Sequence, residues 1–456
     1  MPQNFIPVQR DQPFLMPHDI RDWLPEDDFA WCLLDAIDEM DLTAFYADYR
    51  ADGWGRAAFE PKMMVALLLY GYSMGVRSSR EIERRCHHDI AYRVVAANLA
   101  PDHSTISRFL HRHDVALGRL FKEVLALCAR AGLIRLDLVV IDGTKMKANA
   151  SRSRTLTEQQ IDELVEAMLE EAKATDAEED ARFGEDRRGD ELAPHLAERS
   201  RRIEELRRAK AQLQAERDQE QRRYEEKVER RRNYQRDHGR LAPGKEPLPP
   251  SQHQRRRSPR VNLTDPSAQM MHTPDRWITG YNAQLISTQD QIVIAAGLGC
   301  SNDDKAHLPA LLAQAQSTLA ACGVTDPIEN MAADAGYLAG YNCAPDLPDA
   351  PEMYIAVRNK LSKRPPSDLS KSSFGRSMQL RVETQQGKEI MRRRGEIVEA
   401  IFGQIKSVRR AEQFMRRGFE RCLTEWTLLT TTHNLLKLWR ATVRPHVSAT
   451  QPAICF

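Results

Sequence analysis

The strongest constraint on the fold is a short stretch in which four apolar residues run directly into an acid. Residues 138–141 read Leu-Val-Val-Ile and are followed by Asp142, which is the pattern of a buried strand with a carboxylate at its carboxyl end. Beyond it, basic and polar side chains alternate as on a strand with one wet face: Lys145, Lys147 and Asn149. A carboxylate beside basic groups suits a metal ion that must meet a phosphate. A strand that ends in a solvated aspartate is the simpler alternative.

The charge of the chain is unevenly distributed. The 456 residues suffice for two or three domains, and their net charge of +1 says nothing about partners. Residues 357–440, however, hold 19 Lys and Arg against 8 Asp and Glu, which favours a surface that faces a polyanion or, alternatively, a solvated basic helix. Eight cysteines without a CxxC pair indicate neither a disulfide framework nor a zinc ribbon. Without a signal peptide or a long apolar run, we expect a cytoplasmic protein that has no membrane partner.

The first part of the chain, residues 1–134, is predicted to be a helical N-terminal DNA-binding domain. A serine-capped helix over residues 78–85 is followed by a second helix that Asp102 or Ser104 can cap. Helix, turn and polar-fronted helix make a helix-turn-helix-like pattern, which also occurs in ordinary helical bundles. The first-turn side chains that would contact DNA are Ser107 and Arg108.

Residues 153–255 differ in kind and are predicted to be an insertion. Apolar residues share one face of a first helix, and the polar, glycine- and proline-containing segment 182–195 ends it. A second helix is predicted over 196–236, although Lys210 and Arg217 interrupt its apolar seam. A helical hairpin or coiled coil followed by a basic loop is one interpretation, and a solvated linker is the other.

The remaining elements predict a mixed sheet. The two hairpin strands are predicted at 277–287 and 291–297. A helix at 305–322, a strand at 328–334, a helix from 338 and a strand at 351–357 follow. A basic loop at 358–377 and two long helices at 390–410 and 423–443 come last. Three meandering strands plus two parallel strands linked by helices give an α/β, RNase H-like catalytic domain with a five-stranded sheet over 135–152 and 256–445, and a tail over 446–456. In that topology the first and fourth strands are neighbours. Asp142 and Asp334 should therefore meet.

The helix predicted over 390–410 can add a third acid. Glu399 shares a helical face with Arg392 and Lys406, each seven residues away. Glu396 is the rival for this role, and a solvated charged face is the alternative for the whole surface. Two or three converging carboxylates can hold a pair of Mg²⁺ ions about 3.5–4 Å apart.

Several motifs occur in an order that, taken together, is specific. They span residues 139–144, 262–266, 280–284, 333–337, 398–406, 417–419, 425–426 and 433–435. With them the chain resembles, from about residue 15 to 440, the bacterial insertion-sequence transposases of the DDE type. Within these it is most similar to the IS-four-like superfamily and to its group with a helical insertion after the first aspartate.

The resemblance implies a function and a set of site residues. It implies cleavage of DNA strands and strand transfer at the terminal inverted repeats of an insertion sequence, with Asp142, Asp334 and Glu399 as catalytic metal ligands. The implied cofactor is two Mg²⁺ ions, for which Mn²⁺ can substitute. The candidate DNA contacts near these acids are Lys145, Lys147, Arg392, Arg394 and Lys406.

The resemblance also has departures and alternatives. The family signature places a tyrosine and an arginine before the third acid, and here Met391 stands at the tyrosine position relative to Arg394. The implied partners are double-stranded DNA, both inverted repeats and target, and further copies of the chain in a homodimer or larger synaptic complex in the bacterial nucleoid. An RNase H-fold nuclease without strand transfer and a non-catalytic DNA-binding derivative are the alternatives.

Overall fold

The structure is a computed structural model that describes most of residues 19–447. Within this span, the residues outside the description are 48, 50–56, 152–153, 169, 171–193, 243–245, 251–259, 274–275, 345–348 and 358–372. Most of the predicted tail over 446–456 also lies outside it. The described residues form a mixed α/β structure.

Helices alone make up the described chain before the first long strand. They are α1 Phe29–Asp38, α2 Thr43–Tyr46, α3 Pro61–Ser73, α4 Ser79–His88, α5 Ile90–Val95, α6 His103–Arg112 and α7 Asp114–Arg130. Asp102 is the residue that caps α6, since its carboxylate accepts from the amides of Ser104 and Thr105. Ser78 occupies the N-cap of α4, but its side chain makes no capping hydrogen bond.

One sheet of six strands forms the centre of the molecule within the described residues. Its members, in chain order, are β1 Leu138–Lys147, β4 Gln269–His272, β5 Trp277–Thr288, β6 Val293–Gly299, β7 Asn330–Ala333 and β8 Glu352–Ile355. The short strands β2 Thr155–Thr157 and β3 Arg260–Asn262 pair separately. The prediction of five strands was wrong by one. Because β6 pairs only with the second half of the long strand β5, the first half is free to pair with β4.

The strand order is β4-β5-β1-β7-β8, with β6 also paired to β5. β1 runs antiparallel to β5 and parallel to β7, and β7 runs parallel to β8. The first and fourth predicted strands are thus neighbours, as the sequence indicated. The register pairs Val140 with Ala332, and Asp142 and Asp334 are each two residues further along.

The helices after the sheet begins are α8 at residues 158–168, α9 Pro194–His238, α10 His307–Ala321, α11 Gly340–Cys343, α12 Ser373–Glu383, α13 Gln385–Gly403 and α14 Phe419–Val447. The prediction of a helix from residue 338 was wrong. The chain instead makes a 3₁₀ turn in which the Asp334 side chain accepts from the Gly336 amide, followed by the four-residue α11. The predicted loop 358–377 lies mostly outside the described residues, and its last part is the start of α12. α13 continues into a π-helical turn, Gln404–Val408.

The insertion has its own small core. Ile161 of α8 packs with Leu206 and Leu213 of α9 and with Val261. The charged residues that interrupted the predicted seam pair across the two helices, Lys210 with Asp162 and Arg217 with Glu158. The predicted break at 182–195 falls almost entirely outside the described residues.

The helix α14 joins the N-terminal helices to the sheet. Its Trp426 is fully buried and donates from Nε1 to the Gln284 carbonyl of β5 over 2.9 Å. Its Asn434 exchanges two hydrogen bonds with the Val293 backbone of β6. The opposite side packs against α3 and α7, so one buried helix sets the position of both halves. No described helix is long and apolar enough to cross a membrane.

Candidate active site

Two aspartates lie just beyond the parallel-paired parts of the central strands: Asp142 in the middle of β1, and Asp334 directly after β7. The register of β1 and β7 is defined as far as Val140 and Ala332, and the two aspartates are each two residues further along. Burial raises the pKa of Asp142 to about 6, while Arg394 opposes the rise and the charge of Asp334 adds to it. Burial likewise raises the pKa of Asp334. Both carboxylates are poorly stabilised as anions, so a nearby cation would stabilise them strongly.

A guanidinium from α13 contacts one of these acids. Nη1 of Arg394 donates to Oδ2 of Asp142 over 3.0 Å, and the Gly143 amide donates to Oδ1 over 2.7 Å. The two side chains are 21% and 20% exposed. The Nε of Arg394 is buried and has no hydrogen-bond partner among the described residues. Arg394 therefore supplies positive charge at the place where a metal ion would also bind Asp142.

Glu399 lies on the same helix, and its side chain is exposed. Its Oε1 is 3.6 Å from the place where a Cβ on Gly395 would lie, one turn earlier in α13. Across the described chain, no three acidic, histidine or cysteine side chains are close enough together to hold one ion. The structure thus brings Asp142 and Asp334 onto or next to adjacent strands, but within the described residues it does not gather Glu399 with them into one cluster.

The charged face predicted for α13 is divided. Arg392 pairs with Glu389 and with Glu396, the rival third acid, on the exposed side of the helix. Lys406, in contrast, turns toward the sheet and donates from Nζ to Oγ1 of Thr144 over 2.8 Å. Burial lowers the pKa of Lys406. Of the two cations predicted to flank Glu399, only Lys406 contacts β1.

A further aspartate, which the sequence did not single out, lies at this edge of the sheet. Oδ1 of Asp304 accepts from Nδ2 of Asn282 over 2.6 Å and from Nε2 of Gln284 over 2.8 Å. Nζ of Lys145 lies 3.4 Å from the same oxygen, and the charge of Asp304 helps to raise the pKa of Asp334. In sequence Asp304 looks like a capping residue before α10. Its position in the site is evident only from its hydrogen bonds with the side-chain amides of Asn282 and Gln284 on β5.

A small space separates Asp304 from Asp334. A Cβ on Gly336 would lie 3.0 Å from Oδ2 of Asp304 and 3.0 Å from Oδ1 of Asp334. Glycine leaves this space free of any side chain. Divalent cations such as Mg²⁺ bind carboxylate oxygens, so two half-buried carboxylates around this space provide ligands of the kind that such an ion prefers.

Basic side chains continue along the edge of β1. Lys147 lines a groove of about 410 Å³ together with Arg276, Lys406 and Arg410, and Glu412 is the acid among its lining residues. On α6, Arg108 is exposed and Ser107 is half-buried. Of the predicted DNA contacts, three are therefore exposed and four are half-buried; the exposed ones are Arg108, Lys147 and Arg392, and the half-buried ones are Ser107, Lys145, Arg394 and Lys406.

Two aromatic residues near the hairpin differ in exposure. Tyr281 is fully buried, and its hydroxyl donates to Oδ1 of the buried Asp265 over 2.6 Å. Its role is core packing. Trp277 is 44% exposed and makes an edge contact with His272.

Comparison with known families gives two matches. A family model described as a transposase domain (DUF772) matches residues 18–112, and one described as a transposase DDE domain matches residues 363–439. The first match covers α1 to α6, including Ser107 and Arg108. The second covers Arg394, Glu399 and Lys406 but neither Asp142 nor Asp334. No curated protein and no solved structure matches the chain.

Proposed function

Since the chain is an insertion-sequence DDE transposase, a DNA-cleaving enzyme, we propose that it binds the terminal inverted repeats of its element and that it cuts and joins DNA at Asp142 and Asp334. The observation that supports this proposal is the register of β1 and β7, which pairs Val140 with Ala332, each two residues before one of the aspartates. Their raised pKa values add support, because groups that do catalytic work are often held in environments that perturb them.

We propose an RNase H-like fold for the catalytic domain, over 135–152 and 256–445. The support is a sheet in which an antiparallel meander precedes two parallel strands, with the first and fourth strands adjacent. The helices before β1 would form the N-terminal DNA-binding domain, residues 1–134. Residues 153–255 would be an inserted hairpin, which fits the separate core of α8 and α9 and the subgroup with a helical insertion.

DDE transposase domains generally use divalent metal ions, and we propose that Asp142 and Asp334 hold Mg²⁺ with Glu399 as a further ligand. Such ions activate the attacking hydroxyl and stabilise the leaving oxygen in phosphoryl displacement. Arg394 balances the charge of Asp142 through their ion pair, and it would be available to a DNA phosphate if a bound ion took over that role. Lys406 donates to the Thr144 hydroxyl and to the Lys145 carbonyl of β1, which helps to fix the strand that carries Asp142.

We propose that DNA lies along the basic edge that begins at Lys145 and continues past Lys147. Lysine and arginine side chains bind phosphates without reading sequence, and several of them are exposed or line the groove beside β1. Arg392 lies in an exposed ion-pair network, so its contribution would be electrostatic attraction. Two element ends must be processed together, which favours a homodimer or a larger synaptic complex in the nucleoid.

The test uses Asp142→Ala and Asp334→Ala with DNA taken from the two ends of the region that flanks the gene. Both variants should bind a labelled end duplex as the wild type does and should lose Mg²⁺-dependent nicking of a plasmid that carries both ends. Asp326→Ala, at an exposed loop position, is the matched control. Wild-type nicking by either site variant would overturn the assignment of the acids.

The same assay separates the alternatives. A donor with both ends and a supercoiled target plasmid should yield joined products with the wild type. Cleavage without joining would indicate a nuclease. Binding without cleavage at any concentration of Mg²⁺ or Mn²⁺ would indicate a non-catalytic DNA-binding protein.

A further inference from the structure

A second basic groove lies between the N-terminal helices and the segment that precedes α14. It has a volume of about 350 Å³, and its lining includes four arginines and neither Asp nor Glu. We call it the arginine groove, after Arg77, Arg416, Arg417 and Arg421. It is separate from the groove beside Lys147 and is formed by both halves of the molecule.

Two of the four arginines form ion pairs with acidic side chains that do not line the groove. Arg77 pairs with the fully buried Glu425 over 2.7 Å, and Nη1 of Arg416 pairs with Asp114 over 2.7 Å. Nη2 of Arg416, however, is buried and has no hydrogen-bond partner among the described residues, and its side chain is only 8% exposed. A buried donor without an acceptor destabilises the protein, and more so when it is charged. An acceptor that enters the groove would remove this destabilisation.

The other two arginines carry the positive charge to the surface. Arg417 and Arg421 are exposed. Arg417 uses its Nε on the Asn149 carbonyl, over 2.9 Å, and neither has a carboxylate partner within the described part of the chain. Burial lowers the pKa of His111, and the charges of Arg421 and Arg416 lower it further. The groove is therefore a region of positive potential.

A helix begins at the wall of this groove. Ser78 and Ser79 line it, and the ten-residue α4 starts at Ser79 without a hydrogen bond from the Ser78 side chain to its first amides. The free amides and the dipole of a helix N-terminus favour an anion. Helix dipole, two hydroxyls and four guanidinium groups thus converge on one space.

The groove is connected to the acids through β1. Nδ2 of Asn149 donates to the Met415 carbonyl over 2.7 Å, so the end of the strand that carries Asp142 is tied to the groove. Seven residues of extended chain separate Asp142 from Asn149, or roughly 23 Å at about 3.3 Å per residue. Along duplex DNA, at about 3.4 Å per base pair, this corresponds to roughly seven base pairs.

We propose that the arginine groove binds a backbone phosphate of the DNA, roughly seven base pairs from the bond that the enzyme cuts. This inference rests on the proposed function, which supplies DNA as the molecule that carries the phosphate. One bound DNA strand would then contact both the N-terminal helices and the catalytic sheet. Arg417, Arg421 and Ser78 donate to the phosphate oxygens, and Arg416 adds the donor that is now without an acceptor.

The first test measures how DNA affinity depends on salt. Labelled duplexes of about 30 base pairs, one from an element end and one scrambled, are titrated with the wild type, with Arg421→Ala and with Arg135→Ala. Arg421→Ala should lose roughly tenfold in affinity at about 0.1 M salt for both duplexes, and its slope of log K against log salt should fall by about 1. Arg135 precedes β1, at the end away from Asn149, and its variant should bind like the wild type. An unchanged slope for Arg421→Ala would overturn the proposal.

The second test uses Ser78→Asp, which adds a capping carboxylate to α4. A capping aspartate should raise the melting temperature, yet its charge should repel a phosphate in the groove and weaken DNA binding several-fold. A stabilised variant with wild-type affinity would refute the site. Ethylation of single phosphates should identify one position, about seven base pairs from the cut, whose modification hinders the wild type and has no further effect on Arg421→Ala.

The outcomes distinguish this proposal from the proposed function. If the wild type binds DNA with the predicted salt slopes but never cuts it, the groove stands and the catalytic assignment fails. If the wild type cuts DNA and Arg421→Ala binds as well as Arg135→Ala, the groove fails alone. A thermal shift by inorganic phosphate that disappears in Arg421→Ala, with DNA affinity unchanged, would make it a free-phosphate site and also reject the proposal.

Discussion

Replacing Asp142 by asparagine should stabilise the metal-free protein while it removes activity. Burial raises the pKa of Asp142 from 3.8 to about 6, and a shift of one pKa unit corresponds to about 1.4 kcal/mol. The ionised carboxylate therefore costs the folded state about 3 kcal/mol above pH 6. Asparagine has nearly the same shape and no charge to bury, so Asp142→Asn should recover most of this free energy at pH 8.

The stability gained by Asp142→Asn should depend on pH in a defined direction. A carboxyl whose pKa is raised on folding binds its proton more tightly in the folded state, so its contribution to stability falls as pH rises from 3.8 to about 6 and is constant above. The advantage of Asp142→Asn should thus be about 3 kcal/mol at pH 8, about 1 kcal/mol at pH 4.5, and close to zero below the unfolded pKa. Asp326→Asn, at an exposed position, is the control.

The assay is urea denaturation in the presence of EDTA, followed by tryptophan fluorescence at several pH values. A repeat with Mg²⁺ should stabilise the wild type and leave Asp142→Asn almost unchanged. Equal stability of the two proteins at pH 8, or a gain that does not shrink toward pH 4, would refute the argument that burial and the charge of Asp334 destabilise the Asp142 carboxylate.

Three further substitutions have defined expected results. Asp304→Asn should slow DNA nicking by about tenfold or more while end binding persists, because it weakens the contact to Lys145 and disturbs the amides beside Asp142; nicking at the wild-type rate would contradict this. Gly336→Ala should abolish the thermal stabilisation by Mg²⁺, since its Cβ would meet two carboxylate oxygens at 3.0 Å; a normal shift would show that the space is not used. Tyr281→Phe should lower the free energy of unfolding by about 1–3 kcal/mol, because the buried Asp265 loses the hydroxyl that donates to it; an unchanged urea midpoint would count against that hydrogen bond.

Local sequence signals predicted most of the elements that carry the site. The apolar run before Asp142 predicted β1, the hairpin signals predicted β5 and β6, and Asp102 was one of two residues predicted to cap α6. These signals failed for short elements and for a strand at the edge of the sheet. The strand β4 was missed, and in place of the helix predicted from residue 338 the chain has a 3₁₀ turn and the four-residue α11.

The charged residues of α13 show why periodicity cannot assign a site. Spacing by seven placed Arg392, Glu399 and Lys406 on one face. In the structure Arg392 pairs outward with Glu396, and the π-helical turn lets Lys406 reach β1. The α13 residue that contacts Asp142 is Arg394, which is two residues after Arg392 and does not belong to the predicted face. Helical spacing defines neighbours within one helix, and it says nothing about which side another element covers.

By itself, the sequence determined most of the strands and helices and the acids that follow their apolar runs, because hydrophobic periodicity, capping and turn residues act over a few neighbouring positions. Tertiary structure alone decided which charged groups meet. The pairing of Asp142 with Arg394 joins residues 252 apart in the chain, and the place of Asp304 depends on amides from β5. Such contacts follow from strand register and helix packing, which are properties of the folded core as a whole.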